Sequence, residues 1–411
     1  MRWPFKKEDR SVVSDWNSWF EKAFSLGAKT KSGQEVSPSV AMKNSAVYAC
    51  VKVISETIAS LPLFVYKRTP EGGKAPATED YRFALLHDQP NPYQTSFEWL
   101  EMVGGHTCLR GNHISYILRS KGGKILALLP LNPANFTEFE IDPSTSRVVY
   151  TYTEPTTQKK TRYYRSELFH NKLFSEDGIW GLSPISQARE AIGLSLGTEE
   201  YAARFFANDA RPGGILEMPG RISEDAAKRL KKQWDAAHAG SDKAHGTIVL
   251  EEGMTWSQVG MSNEDSQFLQ SRGFEIEELA RIWRVPCILI GHPNNTMTYA
   301  SAEQFFLSFI THTIRPHLVR IEQALNLVLF DEEERKKLFC EFKLDGLLRG
   351  STSERYAAYA SALQNEWMCA DEVRGLENLN PKPDGTGSLF KNPAINPMKS
   401  ASPPDGGKNG A

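Results

Sequence analysis

Cysteine is scarce in this chain. The 411 residues include five, Cys50, Cys108, Cys287, Cys340 and Cys369. They are far apart and never form a CxxC pair, which leaves no basis for a zinc ribbon or a redox dithiol. Unpaired thiols fit folding in a reducing compartment. A surplus of one charge is also lacking: 48 Lys and Arg stand against 50 Asp and Glu, a formal net charge of −2. No basic patch stands out of the kind by which sequence-specific DNA binders neutralise phosphates. Long apolar runs are missing too. The best candidate, around Ala191–Ser195, is closed off by Arg189 and Glu190 before it and Glu199 and Glu200 after it. Nothing is long enough to cross a bilayer. Met1–Arg10 is mostly charged and no apolar signal stretch follows it, so a soluble protein without a targeting signal is expected.

Catalytic signatures are absent as well. Each Gly-Lys pair lacks the glycine five positions earlier that a phosphate-cradling loop requires, and no GxGxxG opens a helix after a strand. No GxSxG elbow occurs; Gly181-Leu-Ser-Pro-Ile reads as a helix start. His312 and His317 are five apart on a helix and cannot share a face as metal ligands. The sequence therefore offers no catalytic, cofactor-binding or metal-binding residue.

What is present is ordinary globular composition, 40% hydrophobic and 24% charged, organised as an α+β chain. The positions Val47, Cys50, Val51, Ile54 and Ile58 follow helical spacing, which predicts a helix over Asn44–Ser60 ended by Pro62, then a strand at Leu63–Lys67. Thr95 and Glu98 have capping-box spacing for a helix over Phe97–Leu109. The period then changes. Short strands are predicted at Asn112–Arg119, Lys124–Leu131, Phe136–Ile141, Val148–Thr153 and Thr161–Leu173, an antiparallel meander. From Gly181 the chain turns mainly helical. Ser183 and Pro184 start a long helix to about Ala207. A small unit follows, with strand Gly214–Met218, helix Glu224–Ala237 and two further strands. Helix Asn263–Arg284 buries Phe268, Leu269, Ile276, Leu279, Ala280 and Trp283 along one stripe, and Val285–Pro286 stops it. After a polar loop, Ser301 and Gln304 restart a long helix to about Phe330, with Phe305, Phe306, Phe309, Ile310, Ile314, Leu318, Ile321 and Leu325 apolar. Pro316 is expected to kink it. A strand at Leu338–Leu344, helices near Ser353–Leu363 and Asp371–Leu376, and a disordered tail after Pro381 complete the reading.

Three features have two readings each. Gly193 and Gly197, four apart on a helix, cost about 1 kcal/mol each there, which suits close approach of a neighbouring helix or a functional interface. The loop Gly291–Tyr299 is either an ordinary exposed connection or a functional one. Lys228, Arg229, Lys231 and Lys232 form either a solvated helix face or a binding face.

The order of several segments adds to this. Gly181-Leu-Ser-Pro-Ile, Arg204-Phe-Phe-Ala-Asn-Asp-Ala-Arg-Pro-Gly-Gly-Ile-Leu, Val249-Leu-Glu-Glu-Gly-Met and Gln267-Phe-Leu-Gln-Ser-Arg follow one another. Ile282-Trp-Arg-Val-Pro-Cys-Ile-Leu-Ile-Gly and Thr298-Tyr-Ala-Ser-Ala-Glu-Gln come next, and Leu109-Arg-Gly-Asn-His with Leu128-Leu-Pro-Leu-Asn-Pro lies upstream. Over residues 40–380 this succession resembles the Hong Kong 97-like family of phage portal proteins.

The resemblance implies a non-enzymatic subunit without cofactors. Twelve copies would form a ring around a DNA channel at one capsid vertex, serving genome packaging, retention and ejection. It implies an N-terminal segment (1–40), a wing (41–180), stem helices (181–207 and 263–285) and a clip between them (208–262). A tunnel loop (286–300), a kinked helix with a strand returning to the wing (301–344), a crown (345–380) and a tail (381–411) would follow. Arg284, His292, Asn294, Asn295, Thr296, Thr298 and Tyr299 are the tunnel-loop candidates facing DNA. Gly193, Gly197, Phe268, Ile276 and Trp283 are the stem-packing candidates, and Lys228, Arg229, Lys231 and Lys232 the motor-docking face. Implied partners are the chain itself, double-stranded viral DNA read without sequence specificity, the large terminase, the major capsid protein and a head–tail connector. The implied setting is the virion, and the host cytoplasm during assembly. Ser351, where the family carries an acid, and Asp371, where Asn is usual, depart from the pattern. The competing readings are a packaging enzyme, terminase ATPase or maturation protease, and a head structural protein without a channel.

Overall fold

The computed structural model describes residues 29–207 except 71, 143 and 146, together with 215–217, 224, 225, 228, 229, 232 and 255–257. It further describes 263–292, 299–344 and 352–390 except 378; at 205–207, 215–217, 256–257, 263–271, 299–302 and 352–354 it describes the backbone alone. Two compact units result, one ending at Phe342 and one beginning at Lys343.

The first unit opens with α1 (Pro38–Ala41) and α2 (Ser45–Ala59). Asn44 caps α2 by accepting hydrogen bonds from the amides of Ala46 and Val47. This leaves the predicted stripe Val47, Cys50, Val51, Ile54 and Ile58 buried. β1 (Leu63–Arg68), β2 (Lys74–Pro76) and α3 (Tyr81–His87) precede α4 (Ser96–Arg110). The Thr95/Glu98 capping box forms as its spacing predicts. Neither β2 nor α3 was visible in the periodicity.

β3 (Asn112–Arg119), β4 (Ile125–Leu131), β5 (Phe136–Ile141), β6 (Val148–Thr153), β7 (Lys160–Tyr164) and β8 (Leu168–Lys172) follow. They do not form one meander. They form two antiparallel sheets, ordered β4-β3-β8 and β5-β6-β7. The strand expected over Thr161–Leu173 is broken at Arg165–Glu167 by a 3-10 turn, where the Glu167 carboxylate accepts the Tyr164 amide at 2.8 Å. β8 therefore leaves the second sheet and pairs with β3, Ile114 opposite His170. Ile114, Phe136, Tyr150, Tyr152, Leu168 and Trp180 pack between the two sheets.

The helix expected over 184–207 is two helices, α5 (Pro184–Gln187) and α6 (Arg189–Ala207), because the backbone leaves helical geometry at Ala188. Ser183 caps α5 by accepting from the Ser186 amide. β9 (Ile215–Glu217) and β10 (Thr255–Ser257) pair antiparallel. α7 (Asn263–Trp283) ends one residue earlier than expected, with Arg284 at φ 55°. α8 (Tyr299–Phe309) runs through a π-helical turn, Ile310–Ile314, into α9 (Arg315–Leu329). The distortion expected at Pro316 is thus located: a proline clashes with the carbonyl four residues back, here His312, and the chain absorbs this by widening the preceding turn. β11 (Leu338–Phe342) pairs antiparallel with β1, in the sheet order β11-β1-β2. α9 buries Leu318, Ile321, Leu325 and Leu329, but Phe305 and Phe306 of α8, expected in the same stripe, are exposed.

In the second unit, α10 (Thr352–Gln364) and α11 (Ala370–Leu376) are joined by a short turn. The Asp371 carboxylate accepts the Lys382 amide at 2.8 Å and abuts Gly387, which leaves no room there for a side chain. Residues 381–390, expected in the unstructured tail, instead include a 3-10 turn at Thr386–Ser388. Ser351 lies outside the described residues.

Candidate channel elements and their anchor

The two helices read as a stem pack antiparallel to each other. Thr198 on α6 donates to the Glu275 carboxylate on α7 at 2.9 Å, and Arg272 lies 3.9 Å from Glu199. Of the stripe proposed for α7, Leu279, Ala280 and Trp283 are buried. Ile276 is half-buried, and the side chains of Phe268 and Leu269 lie outside the described residues. The side-chain pairs that join α6 to α7 here are polar.

Among the described residues, the atoms nearest Gly193 and Gly197 belong to no helix. A side chain at Gly193 would come within 2.6–2.9 Å of the Thr30 side chain, and one at Gly197 would lie 3.9 Å from Ser32 and Gln34. The covering element is a strap, residues 29–35. The Lys31 amide donates to Glu190 at 3.0 Å and Gln34 Nε2 to Glu200 at 2.7 Å. Missing side chains on α6 thus make a bed for a strap. The spacing alone fitted a helix equally well.

Both helices are fixed at the C-terminal end of α4, whose last carbonyls have no partner within the helix. Trp283 Nε1, at the end of α7, donates to the Cys108 carbonyl at 3.1 Å. Ser183 Oγ, at the start of α5, donates to the Leu109 carbonyl at 2.8 Å. The Leu173 amide donates to Gly111 at 2.8 Å. Gly111 ends α4 in the left-handed region at φ 72°, and a Cβ there would sit 2.1 Å from the Leu182 carbonyl oxygen. Only glycine fits that position.

Asn112 closes the joint. Fully buried, it donates from Nδ2 to the carbonyls of Gly181 at 2.7 Å and Arg110 at 3.0 Å. Its Oδ1 accepts the Gly181 amide at 2.8 Å and lies 3.0 Å from His170 Nε2. An acceptor at that point requires the proton on Nε2, so His170 Nδ1 accepts from the Tyr150 hydroxyl, 3.3 Å away. A second buried histidine, His113, lies 2.8 Å from Ser115 Oγ and 3.2 Å from His106 Nδ1. Burial, then the neighbouring histidines, holds His113 well below its usual range. Burial, then Arg165 and Lys172, does the same to His170, and burial with Arg110 brings His106 down to about 4. The joint is a neutral network. Leu109-Arg-Gly-Asn-His carried part of the resemblance, but no feature of its spacing assigned Asn112 this role.

Beyond α7, the Arg284 carbonyl accepts from Thr313 Oγ1 at 2.8 Å, tying the end of α7 to the π turn. Burial, then Arg320 and Arg284, brings His317 down to about 4. A 3-10 turn, Cys287–Ile290, and left-handed Gly291 then return His292 to within 3.9 Å of the Cβ position of Gly273 on α7. Asn294, Asn295, Thr296 and Thr298 lie outside the described residues, as does the Tyr299 side chain. In the unit between the helices, Glu224, Asp225, Lys228, Arg229 and Lys232 are helical. Lys228, Arg229 and Lys232 are exposed, Lys228 being paired with Glu224 at 2.8 Å; Lys231 and Trp234 lie outside the described residues.

Comparison with known proteins settles the family. The sequence profile described as phage portal protein matches residues 45–378. The "Probable portal protein" of Streptomyces phage phiC31 is 34% identical over 398 residues, 92% of this chain and 84% of that one. The "Portal protein" of Enterobacteria phage HK97 is 30% identical over 346 residues, 83% and 80% of the two chains. Among solved structures, a chain from the neck of an empty GTA particle computed with C6 symmetry has a TM-score of 0.63 and 25% identity, over 84% of this chain and 94% of that one. By the extent of these matches, the chain belongs to the phage portal protein family.

Proposed function

We propose that the protein is the portal subunit of a tailed phage: copies close into a ring at one capsid vertex, and double-stranded DNA passes through its centre during packaging and ejection. The observation that carries this reading is the family membership joined to the anchored helix pair. Two antiparallel helices fixed at one helix end form a rigid strut, suited to repetition around an axis. Head-to-tail contacts that close into a ring are the expected assembly, with obligate interfaces on the order of 2,000–5,000 Å². Twelve copies, the stem, wing, clip and crown, and location in the virion after assembly in the host cytoplasm belong to the same reading. It assigns no enzymatic step to the chain.

The chemistry of the channel follows from phosphate electrostatics. Ring symmetry multiplies each phosphate contact by the number of copies, and each neutralised phosphate steepens affinity and its salt dependence. A near-neutral chain with Asn294, Asn295, Thr296 and Thr298 in the loop after His292 presents hydrogen-bonding groups without fixed charge. DNA is then held without sequence recognition and without arrest. Lys228, Arg229, Lys231 and Lys232 would face the large terminase and later a connector protein, while the wing meets the major capsid protein. The test is DNA packaging into purified capsids carrying this chain at the vertex. DNA uptake dependent on the chain is expected, and purified protein alone is expected not to hydrolyse ATP. Packaging that proceeds equally without the chain, or an intrinsic ATPase, would overturn the reading.

A further inference from the structure

Segments far apart in the sequence bring their cations to one cleft in the first unit. The β3–β4 hairpin supplies Arg119 and Lys124, the entry to β6 supplies Arg147, and the 3-10 turn after β7 supplies Arg165. The end of α9 and Tyr81 of α3 complete the wall, around a volume of about 1000 Å³. The carboxylates in that wall are already engaged. Glu334 accepts from Arg82 Nη1 at 3.0 Å and from the Asp331 amide at 3.1 Å, and Asp331 accepts the Glu334 amide at 2.8 Å. Arg82, which is buried, is also held by Asp80 through Nη2 at 2.7 Å. Arg119, Lys124, Arg147 and Arg165 have no carboxylate partner among the described residues. Counting Asp80 with the wall, cations exceed acids on a chain whose net charge is −2.

Two of these cations are oriented by the backbone. Arg119 donates from Nη2 to the Val328 carbonyl at 2.9 Å and from Nη1 to Gly123 at 3.3 Å. Arg165 donates from Nη1 to Leu168 at 2.8 Å and from Nη2 to His170 at 3.5 Å. A guanidinium carries five N–H groups in a planar fork, so most of them remain for a bidentate acceptor. Burial lowers Arg165 from its ordinary value, the direction expected of a cation with no carboxylate beside it.

We propose that this cleft docks an acidic peptide segment of a partner protein, a stretch of carboxylate side chains with an apolar residue among them. The proposal uses none of the residues that the channel reading assigns to DNA. Charge complementarity selects an anion, and the rest of the wall selects its kind. Leu327, 55% exposed, stands with Val328 beside the cations; an acidic peptide can cover it, and a phosphodiester chain cannot. Single-stranded nucleic acid stacks its bases on a series of open rings. Tyr81 is not open: Lys124 and Arg82 lie 4.7 and 5.4 Å from its ring centroid, and its hydroxyl accepts the Ile125 amide at 3.4 Å. Of the wall's rings only Tyr164 is left exposed and uncovered. The terminal segments of this chain, 1–28 and 391–411, hold more cations than acids, so the occupant comes from a partner.

The experiment is fluorescence anisotropy of a short labelled peptide, leucines spaced among glutamates, titrated with the full chain. Binding is expected at low salt, weakening as salt rises, and is expected to vanish when glutamine replaces glutamate in the peptide. Lys124→Glu/Arg147→Glu changes two exposed side chains, so its circular dichroism should match wild type while affinity falls by about tenfold or more. Lys124→Gln/Arg147→Gln should fall between the two. Lys67→Glu/Lys159→Glu makes the same change in net charge at exposed positions outside the cleft and should bind as wild type does. Wild type that ignores the peptide at low salt, or cleft variants that bind it as tightly as the Lys67/Lys159 control, would overturn the proposal. So would a labelled oligothymidylate that binds more tightly than the peptide and is lost in the cleft variants, which would give the cleft to nucleic acid. Cleft variants that sediment as smaller assemblies than wild type would give it to a second copy of the chain, and would overturn the proposal as well.

Discussion

Replacing Asn112 with leucine tests the anchor. The two side chains are close in volume, so little cavity is created, and the change isolates the polar network. Four contacts of 2.7–3.0 Å disappear. The Gly181 amide and carbonyl and His170 Nε2 are left unpartnered in a buried site, and the part-buried Arg110 carbonyl loses its donor. An unsatisfied buried polar group costs about 1–3 kcal/mol. Because the four share one network their costs are not additive, and a total of roughly 3–6 kcal/mol is expected. Set against a whole-domain stability of about 5–15 kcal/mol, that is a large loss. It should be centred on the entry to α5, so the Gly181 and Leu182 amides should lose hydrogen-exchange protection before the α2 core does. Urea unfolding followed by tryptophan fluorescence reads the global effect, and exchange mass spectrometry reads the local one. A loss below about 1 kcal/mol, or uniform deprotection, would refute the claim that Asn112 fastens the helix pair to α4.

Other outcomes follow from the same structure. Gly197→Ala, which has room, is expected to stabilise by up to about 1 kcal/mol through helix propensity, whereas Gly193→Ala should displace the strap at Thr30 and expose it to protease. Equal behaviour of the two variants would contradict the strap assignment. His106, His113, His170 and His317 all have lowered values in the fold, so the unfolded chain binds more protons between about pH 6.5 and 4. Stability should therefore be complete above pH 6.5 and fall as pH drops through that window, and His106→Gln should flatten the slope. A urea midpoint unchanged from pH 7 to pH 5 would contradict this. Asn294→Lys with Asn295→Lys adds two positive charges per copy to the proposed constriction. Rings should form normally while packaging slows, most at low salt; wild-type rates at every salt concentration would remove that loop from the DNA path.

The sequence was informative where structure is local. The Thr95/Glu98 capping box and the stripe from Val47 to Ile58 depend on neighbours within one or two turns, and both formed as their spacing predicts. Strand order was not legible. Nothing in Thr161–Leu173 announces that a three-residue turn sends β8 back to β3, because that choice is made by burial of Leu168 and Phe169 against distant residues. The partner of Gly193 was equally hidden: small residues on a helix admit a strap as readily as a helix. Apolar periodicity over Phe305–Leu325 implied one buried face and missed the π turn at Ile310–Ile314, before which Phe305 and Phe306 are exposed. Family resemblance located the candidate loop and helices but left their anchor undescribed, since Asn112 acts through contacts to residues 58 and 69 positions away.

The central claim is that this chain closes into a ring around a channel wide enough for duplex DNA. Electron-microscope images of the purified full-length protein, averaged without imposed symmetry, test it most directly. End-on views with twelve repeats around an open centre are predicted, and compact monomers or closed shells without a central opening would contradict the account.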